Sequence, residues 1–379
     1  MTCVITGSAM TTSVGADKAA CFEGLCSGRS GRKALQSFTS THFNVQHAYE
    51  IADRPDGIDR PLRASSLLCK AIASAVHEAR LPENSRAVIV VGTGLRELRS
   101  LELFWTDGLP MSIDQLHFEA AVQQHLGVDY PVVTLANACS ASNFALAVAE
   151  DFLRDGAFDY AIVGGCDTVT KSMFGLLDHV NPVRPDAVRP FDRDRQGVLM
   201  GDGAAAVVLE RQDGALARGA KVLATLRGVG TSCDAWHETA PDAAGIMRAM
   251  QDAYQRAAVS PHDIDIVMAH GTGTQLNDKA EAVAMQQVMQ EMASHPRISA
   301  IKSMTGHTSG ASGLVGVVTA IEALDSGLLP PTIGLEHLMP EARSMNIVNE
   351  SVPINAELAQ VNAFGFGGVN AVAILERGS

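Results

Sequence analysis

Apolar positions along this chain fall into two recurring arrangements. Short unbroken runs rich in Val and Ile stop at glycine. Val88-Ile89-Val90-Val91 runs into Gly92-Thr93-Gly94, and Ile264-Asp265-Ile266-Val267-Met268-Ala269-His270 runs into Gly271-Thr272-Gly273. Such runs predict buried strands that end in tight turns. Between them lie stretches with helical apolar spacing, at 143–154 and near 312–325. The two arrangements combine in the same way twice: Pro131-Val132-Val133-Thr134-Leu135 leads through Cys139 into the first helix, and Ile298-Ser299-Ala300-Ile301 leads through His307 into the second. Repetition at about half the chain length predicts two fused α/β halves. Each would hold a mainly parallel sheet covered by helices on both faces. The boundary is placed near Gln212-Asp213-Gly214, after the apparent strand Ala204-Ala205-Ala206-Val207-Val208-Leu209, giving halves 1–212 and 213–379. No low-complexity linker separates them, so they are expected to pack as one unit.

Composition narrows the class. With 379 residues, 46% hydrophobic and 19% charged, the chain can bury a large core and is not disordered. Its seven cysteines are odd in number and include no Cys-x-x-Cys pair, which argues against a disulfide framework or a zinc site and for a reducing compartment. The N-terminus lacks a basic start and a sustained apolar run, and no segment reaches the length of a membrane span, so a cytoplasmic location is expected. A formal net charge of −13 argues against a nucleic-acid partner, which would require a basic face.

Three distant stretches each set a reactive side chain among small residues: Asn137-Ala138-Cys139-Ser140-Ala141-Ser142, Ala269-His270-Gly271-Thr272-Gly273-Thr274, and Lys302-Ser303-Met304-Thr305-Gly306-His307-Thr308-Ser309-Gly310. Cys139 follows a strand and opens a helix, where the peptide dipoles lower a thiol's pKa and favour attack on a thioester. A lone cysteine is more often a small buried residue, and Cys166 keeps that reading. His270 ends a strand at a glycine turn, and His307 is flanked by glycines, so both rings are free to face a cavity. Neither glycine-rich loop carries the lysine of a phosphate-binding loop, which excludes nucleotide hydrolysis.

The order Cys139, then His270-Gly271-Thr272-Gly273-Thr274, then Gly306-His307 resembles the β-ketoacyl-(acyl carrier protein) synthases, from Val4-Ile5-Thr6-Gly7 to Gly365-Phe366-Gly367-Gly368-Val369-Asn370. The resemblance implies a thiolase-like fold, two pseudo-repeated halves in a five-layer αβαβα sandwich. It implies that Cys139 takes the acyl group and that His270 and His307 stabilise the enolate formed as a malonyl thioester loses carbon dioxide. Lys302 and its carboxylate partner Glu281 would support the histidines, Asp278 would be structural, and Phe366 would gate the site. The backbone N–H groups of Phe366 and Cys139 would form an oxyanion hole. No cofactor or metal is expected to be bound; substrates would ride on the phosphopantetheine of an acyl carrier protein. The assembly would be a homodimer, or a heterodimer with a homologous chain-length-factor subunit. A free-standing elongating enzyme of fatty acid or polyketide synthesis is the first reading; a ketosynthase active only beside a chain-length factor, or a non-catalytic partner subunit, are the alternatives. Initiating synthases have asparagine where His307 stands, and thiolases need a second cysteine that is missing after Cys233.

The sequence also departs from the pattern. A glutamate usual nine residues after the second histidine is Gly316, and a usual phenylalanine is Val198. Asp114-Gln115-Leu116-His117-Phe118-Glu119 would set polar groups along the acyl tunnel, which disfavours a long saturated tail. Asp53 and Asp56 replace basic residues expected to dock the carrier. Carrier docking would instead need a patch from Arg29, Arg32 and Lys33, from Arg54, Arg60 and Arg63, or from Arg184 and Arg189.

Overall fold

The computed structural model describes residues 1–54, 57–82, 85–181, 183–289 and 296–378; Asp56 lies outside them. Eleven strands form the main sheet: β1 (Cys3–Thr12), β2 (Ala87–Gly92), β3 (Val132–Leu135), β4 (Tyr160–Asp167), β5 (Gly203–Arg211), β6 (Ala224–Cys233), β7 (Ile266–Met268), β8 (Arg297–Ser299), β9 (Asn346–Ile347), β10 (Leu358–Gly365) and β11 (Val369–Arg377). Their spatial order is β9-β8-β7-β10-β11-β6-β1-β5-β4-β2-β3. Read outward from the middle, β1-β5-β4-β2-β3 and β6-β11-β10-β7-β8 share one pairing pattern: antiparallel, antiparallel, parallel, parallel. Among the described residues the two sets pair edge to edge at one corner, where Cys3, Val4 and Ile5 face Leu226, Thr225 and Ala224.

The expectation of mainly parallel sheets is corrected by this pattern, which is half antiparallel. The cause is local. β10 and β11 are joined by a three-residue turn, Phe366-Gly367-Gly368, too short for the crossover that a parallel pair requires.

The main helices that cover the sheets among the described residues are α1 (Arg63–Ala79), α2 (Ala141–Arg154), α3 (Ala243–Ala257), α4 (Gln275–Met289) and α5 (Ser312–Ser326). Helix α1 packs on β1, β5 and β4, and α3 packs on β6 and β11, with α4 against α3. Helices α2 and α5 touch strands of both sets as well as each other. They are the shared middle layer of an α-β-α-β-α stack. Helix α5 is accordingly apolar almost all round, from Leu314 through Leu324, as a helix with no solvent face must be. No helix among the described residues is long and apolar enough to cross a membrane.

Both middle helices start beside a reactive residue, Cys139 before α2 and His307 before α5. The repeat therefore brings two chain segments, far apart in sequence, to the same layer.

Candidate active site

Leaving β3, the chain turns through Ala138, whose φ of +50° is left-handed and uncommon for a residue with a Cβ, and then enters a 3-10 turn and α2. This turn puts Cys139 at the helix entrance. The hairpin turn after β10 closes over it. A Cβ on Gly365 would lie 3.2 Å from the Cys139 backbone nitrogen, tighter than ordinary contact, so glycine suits the approach.

Cys139, His270, His307 and Phe366 line one cavity of about 110 Å³. The two imidazole rings stand 5.4 Å apart, centre to centre, and nearly perpendicular at 81°. Both are buried, at 2% and 6% exposure, whereas Phe366 is 44% exposed at the mouth. Burial, reinforced by the Lys302 charge, holds both imidazoles well below the usual histidine pKa, so both are neutral at physiological pH.

Their tautomers follow from their partners. The Ser309 N–H donates to His307 Nδ1 at 3.1 Å, and Lys302 Nζ lies 3.3 Å from His270 Nδ1 while donating to the His270 carbonyl at 2.6 Å. An Nδ1 that accepts leaves the proton on Nε2. Each ring thus keeps one N–H donor for a substrate.

The expectation of a depressed thiol pKa is corrected. Burial pushes Cys139 up to about 11, although the Lys302 charge and the backbone N–H groups of Phe366 and Cys139 pull it down. Desolvation outweighs the favourable dipoles, so the resting group is a thiol whose proton must be moved as substrate arrives. The N–H groups of Phe366 and Cys139 stand against the sulfur.

Lys302 is buried and its pKa falls to about 8, with desolvation opposed chiefly by Glu281. Glu281 does not form the direct ion pair expected of it. Its two oxygens accept the His270 and Gly271 N–H groups, each at 2.8 Å, and Asn362 Nδ2 at 3.0 Å. It fixes the backbone of the histidine turn and reaches Lys302 only through space. Asp278 accepts N–H groups of Phe191, Thr272 and Gly273 and faces Arg195 at 3.6 Å, tying the histidine loop to the Arg189-Pro190-Phe191-Asp192 segment.

Sequence reading missed Asp167, at the end of β4. It accepts Thr93 Oγ1 and the N–H groups of Gly94, Leu95 and Gly310, all between 2.6 and 2.8 Å. Burial raises its pKa to about 6 in spite of these donors. It clamps the turn after β2 to the loop after His307. Its place just after Cys166 was the available signal, but a strand-end aspartate has no distinctive spacing. Asp167→Asn should lower Tm by several degrees in thermal denaturation: an amide NH₂ facing buried N–H groups leaves donors unpaired, at about 1–3 kcal/mol.

Two other expectations change. Asp114, His117 and Glu119 are exposed, and the buried Phe118 packs in the core under α1; the cavity wall is built instead by Met173, Leu177, Val198 and Met200. Val198 does stand in that wall. Arg54 and Arg63 offer no docking charge. Arg54 is buried against Glu50, Asp59 and Asp202, and Arg63 against Asp53 and Asp202. Paired arginine and carboxylate groups escape the cost of burying either charge alone. Cys166 is a fully buried thiol, and all seven cysteines are free.

Comparison with known proteins shows the family. The N-terminal domain model of β-ketoacyl synthases matches residues 2–215, and the C-terminal domain model matches residues 223–336. Nodulation protein E of Rhizobium meliloti (strain 1021) is 32% identical, over 97% of both chains. The 3-oxoacyl-[acyl-carrier-protein] synthase 2 of Synechocystis sp. is 30% identical, over 99% of this chain and 97% of its own. The solved structure of the ishigamide ketosynthase/chain length factor superposes with a TM-score of 0.91 at 34% identity, covering 99% of each chain. The thiol, the paired imidazoles and the matched length together place this chain in the β-ketoacyl synthase family, the condensing enzymes of acyl-chain elongation.

Proposed function

We propose that Cys139 is the acyl-accepting nucleophile, His270 and His307 the enolate-stabilising donors, and Lys302 their electrostatic support, in an enzyme whose substrates arrive on the phosphopantetheine of an acyl carrier protein in the cytoplasm. Residues 1–212 would supply the nucleophile and residues 213–379 the histidines and the gate. The observation that carries this reading is the convergence of one thiol and two neutral N–H donors on one cavity.

In the first stage the Cys139 sulfur attacks the acyl thioester carbonyl. The oxyanion takes the N–H groups of Cys139 and Phe366, the bond to the carrier sulfur breaks, and the Cys139 proton passes to the departing thiolate. In the second stage a malonyl thioester loses carbon dioxide. The electron pair of the broken carbon–carbon bond forms an enolate whose oxygen accepts the Nε2–H groups of His270 and His307. The enolate carbon attacks the Cys139 thioester, the new carbon–carbon bond forms, and the cysteine thiolate leaves and takes one proton from water.

The cavity wall of Met173, Leu177, Val198 and Met200 suits an apolar acyl arm. Strand β3 is half-buried along its length, and its outer edge has no partner strand among the described residues. An open edge of this kind suits pairing across a dimer. A second copy, or a homologous chain-length factor as in the ishigamide assembly, would cover it.

Incubation with an acyl carrier and a malonyl carrier should yield a β-ketoacyl carrier heavier by the added two-carbon unit, read by mass spectrometry. Product formation without acylation of the protein would refute the two-stage scheme. Malonyl decarboxylation should also fall as pH rises through about 8, where Lys302 loses its charge. A Lys302→Met variant, slower throughout, should lack that alkaline limb in a pH–rate profile.

A further inference from the structure

Lys302, Thr308, Ser312, Gly316 and Asn362 line a second, small cavity of about 10 Å³ that shares no lining residue with the cavity holding Cys139 and the two histidines. Lys302, Thr308 and Ser312 are all buried there. The volume is at the lower limit for one water, and the walls offer the polar partners a water needs. Gly316 keeps the space open, since a Cβ there would come within 2.8 Å of Val361 Cγ1.

The hydrogen bonds around this cavity run in one direction. Lys302 Nζ spends two of its protons on the His270 carbonyl and Nδ1, and its third has no protein partner among the described residues. On the other side, Ser312 Oγ lies 3.0 Å from His307 Nδ1, which already accepts the Ser309 N–H. An accepting Nδ1 makes the Ser312 hydroxyl a donor to it. Ser312 Oγ can then only accept from Thr308 Oγ1, 3.1 Å away, and Thr308 in turn is left to accept from the cavity.

We propose that the Lys302 ammonium serves both imidazoles: directly at His270 Nδ1, and at His307 Nδ1 through one cavity water and the hydroxyls of Thr308 and Ser312. Thr308 and Ser312 are then positioning residues for decarboxylation, although neither faces the substrate. Donors arriving at Nδ1 of each ring hold the Nε2–H outward and compensate it as negative charge builds on the enolate oxygen. The ionisable groups around this chain are Lys302, His270, His307, Glu281 and Cys139, with Asp167 across Gly310.

The inference rests on the function proposed above, and its test separates the two. Thr308→Val keeps the shape of the residue but removes the hydroxyl, and Thr308 makes no hydrogen bond to His307. In Thr308→Val and Ser312→Ala, malonyl decarboxylation should drop about tenfold, the worth of one hydrogen bond, while the rate of Cys139 acylation changes less than twofold. Ser312→Thr should restore the rate. In ¹⁵N spectra of histidine-labelled protein, the His307 Nδ1 resonance should move in both impaired variants, and that of His270 should not. Equal loss of acylation and decarboxylation would mark a merely structural role and overturn the proposal. So would unmoved His307 resonances in Thr308→Val. A wild-type protein that does not decarboxylate malonyl thioesters would instead refute the catalytic reading, with the spectra still deciding whether the hydroxyl chain reaches His307.

Discussion

Cys139→Ala is expected to leave no acyl group on the protein after incubation with an acyl carrier, and to abolish condensation entirely. Among the seven cysteines, Cys139 is the one that shares a cavity with both imidazoles and lies against the N–H groups of Phe366 and of its own backbone. The others lack this setting: Cys3, Cys21, Cys69 and Cys166 are buried in the core, Cys26 is half-buried, and Cys233, exposed at the C-terminal end of β6, sets its thiol against the Gly367 carbonyl and lines no part of the cavity. Loss of a small thiol from a cavity wall should cost no more than about 1 kcal/mol of stability, because it leaves no buried partner unsatisfied. Malonyl decarboxylation should persist in the variant, since the Nε2–H donors of His270 and His307 owe nothing to the sulfur. The informative result is therefore a split: carbon dioxide released, no β-keto product formed, no adduct by intact-protein mass spectrometry. An adduct that survives in Cys139→Ala would place the nucleophile elsewhere.

That split also shows why so much of this site was legible in the sequence. Strand, reactive residue, small-residue helix is a local pattern. It recurs around Cys139 and His307 because a middle-layer helix must start there in each half, and it survives in one dimension. Long-range effects were not legible. The Cys139 pKa depends on how completely the fold removes water from the sulfur, a property of the hairpin turn at Phe366 and of residues two hundred positions away. Glu281 sits eleven residues after His270 as its spacing suggested, yet the curvature of the 270–274 turn aims its carboxylate at backbone N–H groups and not at Lys302. Arg54 and Arg63 looked like surface charge because a sequence lists cations without their partners; Asp202, which both approach, comes from the loop before β5. The polar segment at 114–119 was misplaced for a similar reason. Its one buried side chain, Phe118, anchors it against α1, so the polar neighbours turn outward.

His270→Ala and His307→Ala should each slow malonyl decarboxylation by about 10² to 10³, the usual cost of removing one preorganised donor from an oxyanion site. In the proposed mechanism the pair converges on one enolate oxygen, so the double variant should lose less than the product of the single losses. Acylation of Cys139 should survive both changes far better, because its oxyanion relies on backbone N–H groups. The pH dependence follows from the sign of the shifts. Both imidazoles are held well below 6.5 by burial and by Lys302, so the neutral form that donates from Nε2 dominates on both sides of that value. Decarboxylation should stay flat as the pH is lowered through 6.5, where an exposed histidine would already have gained its second proton. A rate that falls with an ordinary imidazole midpoint would mean that water reaches the rings, and that their donor geometry is set by solvent and not by the Ser309 N–H and Lys302. The flat profile and the hundredfold losses stand on one physical cause: two rings kept dry enough to remain uncharged, and fixed from behind so that each turns its single proton toward the forming negative charge.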